Sequence, residues 1–138
     1  MIKSISPCAE IHPDVLIIKE YLGHIGNFDL VSAKPFLDPE VSYIVPGHNR
    51  FSGIAKGPEA VMNYCMQVMK FTENTHAVTS MNWLTNEDKV ILITDNIAKL
   101  GEKELIWKEA FVVEVIYKKI RRIEMFQEDQ GAFDLFFS

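Results

Sequence analysis

Four strand-like segments in succession, each ended by a turn signal, set the tightest limit on what this chain can become. They run over about 75–84, 89–100, 104–117 and 120–127 and are rich in β-branched and aromatic residues. The breaks between them are Thr85-Asn86-Glu87-Asp88, Gly101-Glu102-Lys103 and Lys118-Lys119. Helix signals occupy the first half. Pro13-Asp14 opens a helix predicted over 14–25, with Gly23 or Gly26 near its end, and Pro35 and Pro39 stop a second short one over 29–36. Residues 41–45 read as a short strand. Gly57-Pro58-Glu59 then starts a third helix, in which Val61, Cys65, Val68, Met69 and Thr72 form one buried stripe. Helices first and an antiparallel meander afterwards predict an α+β fold with the helices on one face of the sheet.

A chain of 138 residues that is 48% apolar fits one domain over 1–138, with a core of useful size. Its net charge of −5 and pI near 5.3 argue against a nucleic-acid partner, since phosphate binding draws on clustered Lys and Arg. The basic group Lys118-Lys119-Arg121-Arg122 falls at a turn and reads as a solvated hairpin end. No apolar run approaches a membrane span, and Met1–Glu10 lacks the apolar stretch of a secretory signal, so the expectation is a cytoplasmic protein with no membrane partner. Cys8 and Cys65 suggest neither a disulfide framework nor a metal site; Cys65, between Tyr64 and Met66, reads as packing.

Several strands are apolar on both faces, as in Val90-Ile91-Leu92-Ile93 and Ala110-Phe111-Val112-Val113. Helices cover one face only. A homodimer through the sheet is the economical way to cover the other.

Strand parity singles out Glu109. It is the one charged residue in the odd series Leu105, Trp107, Glu109, Phe111, Val113 and Val115, and Asp95 stands alike among Ile91, Ile93 and Ile97. A three-residue turn at Gly101-Glu102-Lys103 pairs Leu100 with Glu104 and brings Asp95 opposite Glu109. Two carboxylates sharing an apolar face raise at least one proton affinity, a basis for general acid–base work. Lys99 and Lys103 offer a plainer reading as neutralising partners, and a register slip of one residue sets Thr94 or Asn96 opposite Glu109 instead.

The histidines give less. His48 lies in the loop before Gly53, where it reads either as ordinary surface or as a group at a pocket mouth; the inward side of the strand that His76 begins is left open. The four histidines show no metal-binding spacing, and no nucleophile elbow occurs. Tyr21, Tyr43, Trp83, Trp107, Phe111 and Phe126 are either core or the walls of a cavity.

The pattern Pro46, Gly47, Asn49, Gly53, Gly57, Ala60 and Val61, with Thr72, Thr75, Lys119-Ile120 and the ending from Glu128-Asp129-Gln130 to Asp134 and Phe136, resembles the SnoaL-like (polyketide-cyclase-like) branch of the nuclear transport factor 2-like superfamily. The resemblance spans nearly the whole chain. It implies a cone-shaped curved antiparallel sheet with about three helices packed on its concave face, around a pocket for a small apolar molecule. The positions of the family's cyclase acid–base pair hold Met125 and Phe111 here. Tyr21 stands where related ketosteroid isomerases carry an oxyanion-binding tyrosine, whereas their base position falls on Ile44. The set expected here is therefore Glu109 as base or acid, Asp95 tuning it, and Tyr21 donating to an oxyanion. Trp107, Phe111, Ile44, Met125 and His48 are the expected pocket lining, with no cofactor or metal. The alternative is a noncatalytic ligand-binding or dimerisation module.

Overall fold

The computed structural model describes residues 11–138; the readings of Met1–Glu10 and Cys8 lie outside them. Helix α1, Pro13–Gly26, starts as its proline predicts, with His12 Nδ1 accepting the Asp14 N–H at 3.1 Å. Asp29 caps α2, Leu30–Ala33, and Pro35, which has no N–H for an α-helical ladder, falls in the 3₁₀ turn Lys34–Phe36 that follows. Helix α3, Pro58–Phe71, buries Val61, Met62 and Cys65. Two elements escaped the sequence reading: the four-residue strand β2, Gly53–Lys56, and helix α4, Gln130–Phe136, which Asp129 caps.

The remaining strands are β1, Leu37–Val45; β3, Ala77–Thr85; β4, Val90–Leu100; β5, Lys103–Ile116; and β6, Lys119–Gln127. They form one curved, unclosed sheet in the order β2-β1-β6-β5-β4-β3. All neighbours are antiparallel except β1 and β6, which run parallel. The meander therefore covers β3 to β6, and β6 returns beside β1 through a long connection. Pro39 is tolerated because it lies where the β1–β6 register shifts, between Leu37 and Ser42.

Two bulges set which side chains face inward. At Thr79 the β3–β4 register skips a residue, so Val78 and Met81 both line the interior despite opposite parity. A second irregularity, at Arg121, does the same for Ile120 and Ile123. Val15, Val41, Val61, Val90 and Ile120 are the best-buried aliphatic side chains of the core.

The β4–β5 turn corrects the expected register. Gly101 has a φ of +62° at the first loop position, which closes a two-residue hairpin and pairs Leu100 with Lys103 rather than Glu104. Every partner moves by one. Thr94 faces Glu109, while Asp95 sits opposite Lys108 on the other side of the sheet.

Candidate functional site

Between α1, α3 and the inner face of the sheet lies a cavity of about 450 Å³. Its rim carries Phe28, Val78 and Met81, all substantially exposed, and the aromatic rings of Phe133 and Phe137 form part of its wall. Phe133 sits on α4 and Phe137 just after it. Among the described residues, the lining contains one carboxylate and no Lys or Arg.

That carboxylate is Glu109, which is only 5% exposed. The β5 pleat turns it inward beside Trp107, and β6 supplies Gln127 directly opposite it. Trp107 Nε1 donates to Glu109 Oε1 at 3.0 Å and Gln127 Nε2 donates to the same oxygen at 2.7 Å. Oε2 takes no hydrogen bond from the described residues. Burial pushes the carboxyl above the ordinary Glu value; the Trp107 and Gln127 hydrogen bonds and the field of His76 pull the other way without cancelling it. With both donors on Oε1, a bound proton belongs on Oε2. Gln127 spends its N–H on this contact and leaves its own buried Oε1 without a partner among the described residues, a cost that packing alone does not explain.

Three phenols line the same cavity. Tyr64 of α3 lies against Tyr43 of β1, their rings 4.7 Å apart, and both feel the charge of Glu109. Tyr21 of α1 packs on Cys65. Burial, first of all, raises all three hydroxyls well above the usual tyrosine value and pushes the Cys65 thiol up to about 11, so these groups stay neutral donors. A polar row on β4 continues the site: Asn96 Nδ2 donates to Thr94 Oγ1 at 2.8 Å, and Asn96 Oδ1 meets His76 Nε2 at 2.9 Å. The His76 ring stacks on Trp107, with centroids 5.1 Å apart and planes at 24°.

Of the residues singled out in the sequence, Glu109, Tyr21, Trp107, Phe111 and Met125 line the cavity. Asp95 does not. The one-residue shift turns it to the outer face, where Ser80 Oγ donates to it at 2.5 Å and Lys108 Nζ lies 3.6 Å away. Ile44 is also excluded, because Val41, Tyr43 and Val45 are the inward residues of β1 and Ile44 alternates to the opposite side. His48 stays in the loop after β1 and does not line the cavity. Phe126 likewise faces outward and is 48% exposed. Sequence reasoning missed Tyr64, Gln127 and the role of His76, and it set Thr94 or Asn96 opposite Glu109 only as the alternative register, the Thr94 form of which is the one observed. One signal was available: Thr94 and Asn96 interrupt the even series Leu92 to Ala98, polar residues two apart on a strand whose even side is buried.

No known family profile and no curated relative matches this chain. Solved structures do. A protein named Bal32a from a soil-derived mobile gene cassette superposes with a TM-score of 0.87 at 24% identity, covering 94% of this chain and 98% of its own. An NTF2-like protein from Burkholderia xenovorans gives 0.76 at 14% identity over 91% and 96%. A protein from Xanthomonas campestris, provisionally named a polyketide cyclase, gives 0.71 at 11% identity over 91% and 97%. The fold is thus NTF2-like, an α+β sheet curved around an interior cavity, as the sequence resemblance implied. At these identities the likeness defines architecture and leaves the chemistry to the site.

Proposed function

We propose that this protein binds a small, largely apolar molecule bearing oxygen and moves a proton on it, as an isomerase, cyclase or lyase does, with Glu109 as the transferring group. One observation carries the reading: a lone buried carboxyl whose Oε1 is held by two N–H donors and whose Oε2 is left free within a cavity otherwise lined by neutral side chains. Apolar walls favour an uncharged ligand, since a charge moved there loses its hydration. Oε2 gives its proton to a substrate oxygen and recovers one later, and a raised proton affinity of this kind suits a group that must do both near neutral pH. The phenols of Tyr43, Tyr64 and Tyr21 supply donors for negative charge developing on that oxygen. The polyketide-cyclase name borne by one structural neighbour agrees with this class of chemistry.

The test is solvent-deuterium incorporation into 2-tetralone, a flat ketone with acidic C–H bonds, followed by mass spectrometry. Glu109→Gln should lower the protein-dependent rate by about 10²- to 10⁴-fold while the thermal transition is retained. An unchanged rate in that variant removes Glu109 from the role.

A second copy of the chain on the outer sheet face completes the reading. Ile91, Ile93, Ala110 and Val112 are only half-buried there, and Ile106 and Phe126 are 71% and 48% exposed. These apolar side chains, interrupted by the Asp95–Lys108 pair and flanked by Glu124, favour an isologous homodimer. Light scattering on the wild type and on Val112→Glu tests it: the expected result is a dimer that the charge splits, and a wild-type monomer at micromolar concentration sinks it.

A further inference from the structure

We propose that His76 is the second proton-carrying residue of this cavity, working through Nδ1 at the mouth while Glu109 works through Oε2 inside. The inference rests on the proton-transfer reading above and deepens it, because a basic nitrogen paired with a carboxylic acid selects an enolisable ketone as the class of substrate.

The hydrogen bonds decide the tautomer. Asn96 Nδ2 lies 3.3 Å from the Thr94 carbonyl oxygen, which can only accept, and 2.8 Å from Thr94 Oγ1. The amide N–H group therefore faces Thr94, and Oδ1 faces His76. An acceptor at 2.9 Å requires that Nε2 carry hydrogen in both the neutral and the cationic ring. Nδ1 is left as the one atom of the ring where a proton comes and goes. Asn96 is 1% exposed and its chain is fully paired, so this orientation is held from within the sheet.

The same ring stacks on Trp107, whose indole N–H donates to Glu109. The two proton carriers thus flank one indole, one in the buried interior and one exposed at the rim. The titratable groups that feel Glu109 are Tyr43 from β1, Tyr64 from α3 and His76 before β3, and Cys65 from α3 and Tyr21 from α1 share the same lining. The side chains in contact with His76 are Asn96 on β4 and Trp107 on β5, both neutral. Within the lining, among the described residues, His76 is the one imidazole and Glu109 the one carboxyl.

The balanced step follows. Nδ1 takes a proton from the carbon beside the carbonyl, the C–H electron pair becomes the new C=C bond, and the carbonyl π pair takes the proton from Glu109 Oε2. The products are the enol, an imidazolium and a carboxylate, with no net change of charge. Return of a proton from His76 Nδ1 to that carbon, and of the enol proton to Glu109 Oε2, regenerates both groups and completes a hydrogen exchange or, at a stereogenic carbon, an epimerisation without any co-reactant.

Nuclear magnetic resonance on the full chain tests the pair without any substrate. Long-range ¹⁵N–¹H correlations of His76 at alkaline pH should show the Nε2–H form, and Asn96→Leu, or Asn96→Ser should the former fail to fold, should let the Nδ1–H form appear. Glu109→Gln should lower the His76 titration midpoint, and His76→Gln should raise that of the Glu109 carboxyl, each by about half a unit or more. A wild-type Nδ1–H tautomer, or midpoints that ignore each other's substitution, overturns the proposal. In the deuterium-exchange experiment, a rate lost with Glu109→Gln but kept with His76→Gln also overturns it and leaves Glu109 standing. Exchange insensitive to Glu109 instead refutes the underlying function, while the tautomer and the mutual midpoint shifts still judge the pair.

Discussion

Asn49 Nδ2 donates to Asp134 Oδ1 at 2.7 Å, across 85 positions of sequence. This contact joins the two segments that carried the family resemblance, the loop after β1 and the C-terminal helix. Gln130 Nε2 reaches the same oxygen at 3.0 Å, and Arg50 donates to the Ser138 carbonyl at 2.7 Å while its guanidinium lies 4.2 Å from the Phe71 ring centre. The loop thereby clamps α4, whose Phe133 and following Phe137 wall the cavity beside Trp107.

Loosening that clamp should cost stability. Asn49→Ala removes the hydrogen bond that does most to hold the Asp134 carboxyl below its ordinary value, and a fall of about 2–6 °C in the thermal midpoint is expected. The sign with pH follows from the direction of the shift. A carboxyl whose folded value is depressed stabilises the fold above its ordinary range and loses that contribution as pH falls through the depressed value. Acid-unfolding curves of wild type and Asp134→Asn should therefore differ at neutral pH and converge in strong acid; parallel curves throughout disprove the linkage.

Gly47 is the position where this clamp is least tolerant. Its φ is +88°, and a Cβ there would run into the Gln130 and Asp134 side chains. Gly47→Ala should destabilise by more than about 1 kcal/mol, measured by urea titration. An alanine variant as stable as wild type shows that α4 can shift without penalty.

Glu109 has the opposite linkage. Its folded value is raised, so the folded chain binds more protons than the unfolded one between the ordinary Glu value and the raised value, and stability declines as pH climbs through that window. Glu109→Gln keeps the shape and removes the ionisation. The variant's stability should lose this decline, so that its advantage over wild type grows from pH 4 to pH 8, as read by chemical denaturation. An advantage that shrinks over that interval contradicts the raised value.

Cys65 reports on access to the cavity. Its thiol is buried, lies against Tyr21 and is pushed up to about 11, so little thiolate forms at neutral pH. In a Cys8→Ser background, alkylation by iodoacetamide at pH 7.5 should be at least about tenfold slower than in urea. Phe28→Ala, which trims the rim, should speed it; equal rates in the folded and unfolded states rule out a closed interior.

The fold was legible where local chemistry suffices. Pro13 and Pro58 start α1 and α3, and β-branched runs between turn signals marked β3 to β6 within a few residues. Strand β2 and helix α4 were not legible for a common reason. Four residues and seven residues are too short to show a period, and each is stabilised by partners outside its own segment, β1 across the eight-position step from Val45 to Gly53 for the strand and Asn49, Arg50 and Trp107 for the helix. The parallel pairing of β1 with β6 escaped for the same cause.

The site divides along that line as well. Glu109 stood out as the charged residue on an apolar strand face, and parity alone was enough to find it. Asp95 failed as its companion because the number of residues in the Gly101-Glu102 turn, not the pattern within the strand, sets which face meets which. His76 could not be placed because the bulge at Thr79 reverses parity within β3.

From its residues alone, then, the chain declared its helix starts, its alternating strands and one anomalous acid, since each depends on neighbours a few positions away. Which groups gather around that acid was settled by turn length, bulges and strand order. Those features act over the whole sheet, and a displacement of one residue in any of them carries a side chain from the cavity to the opposite face.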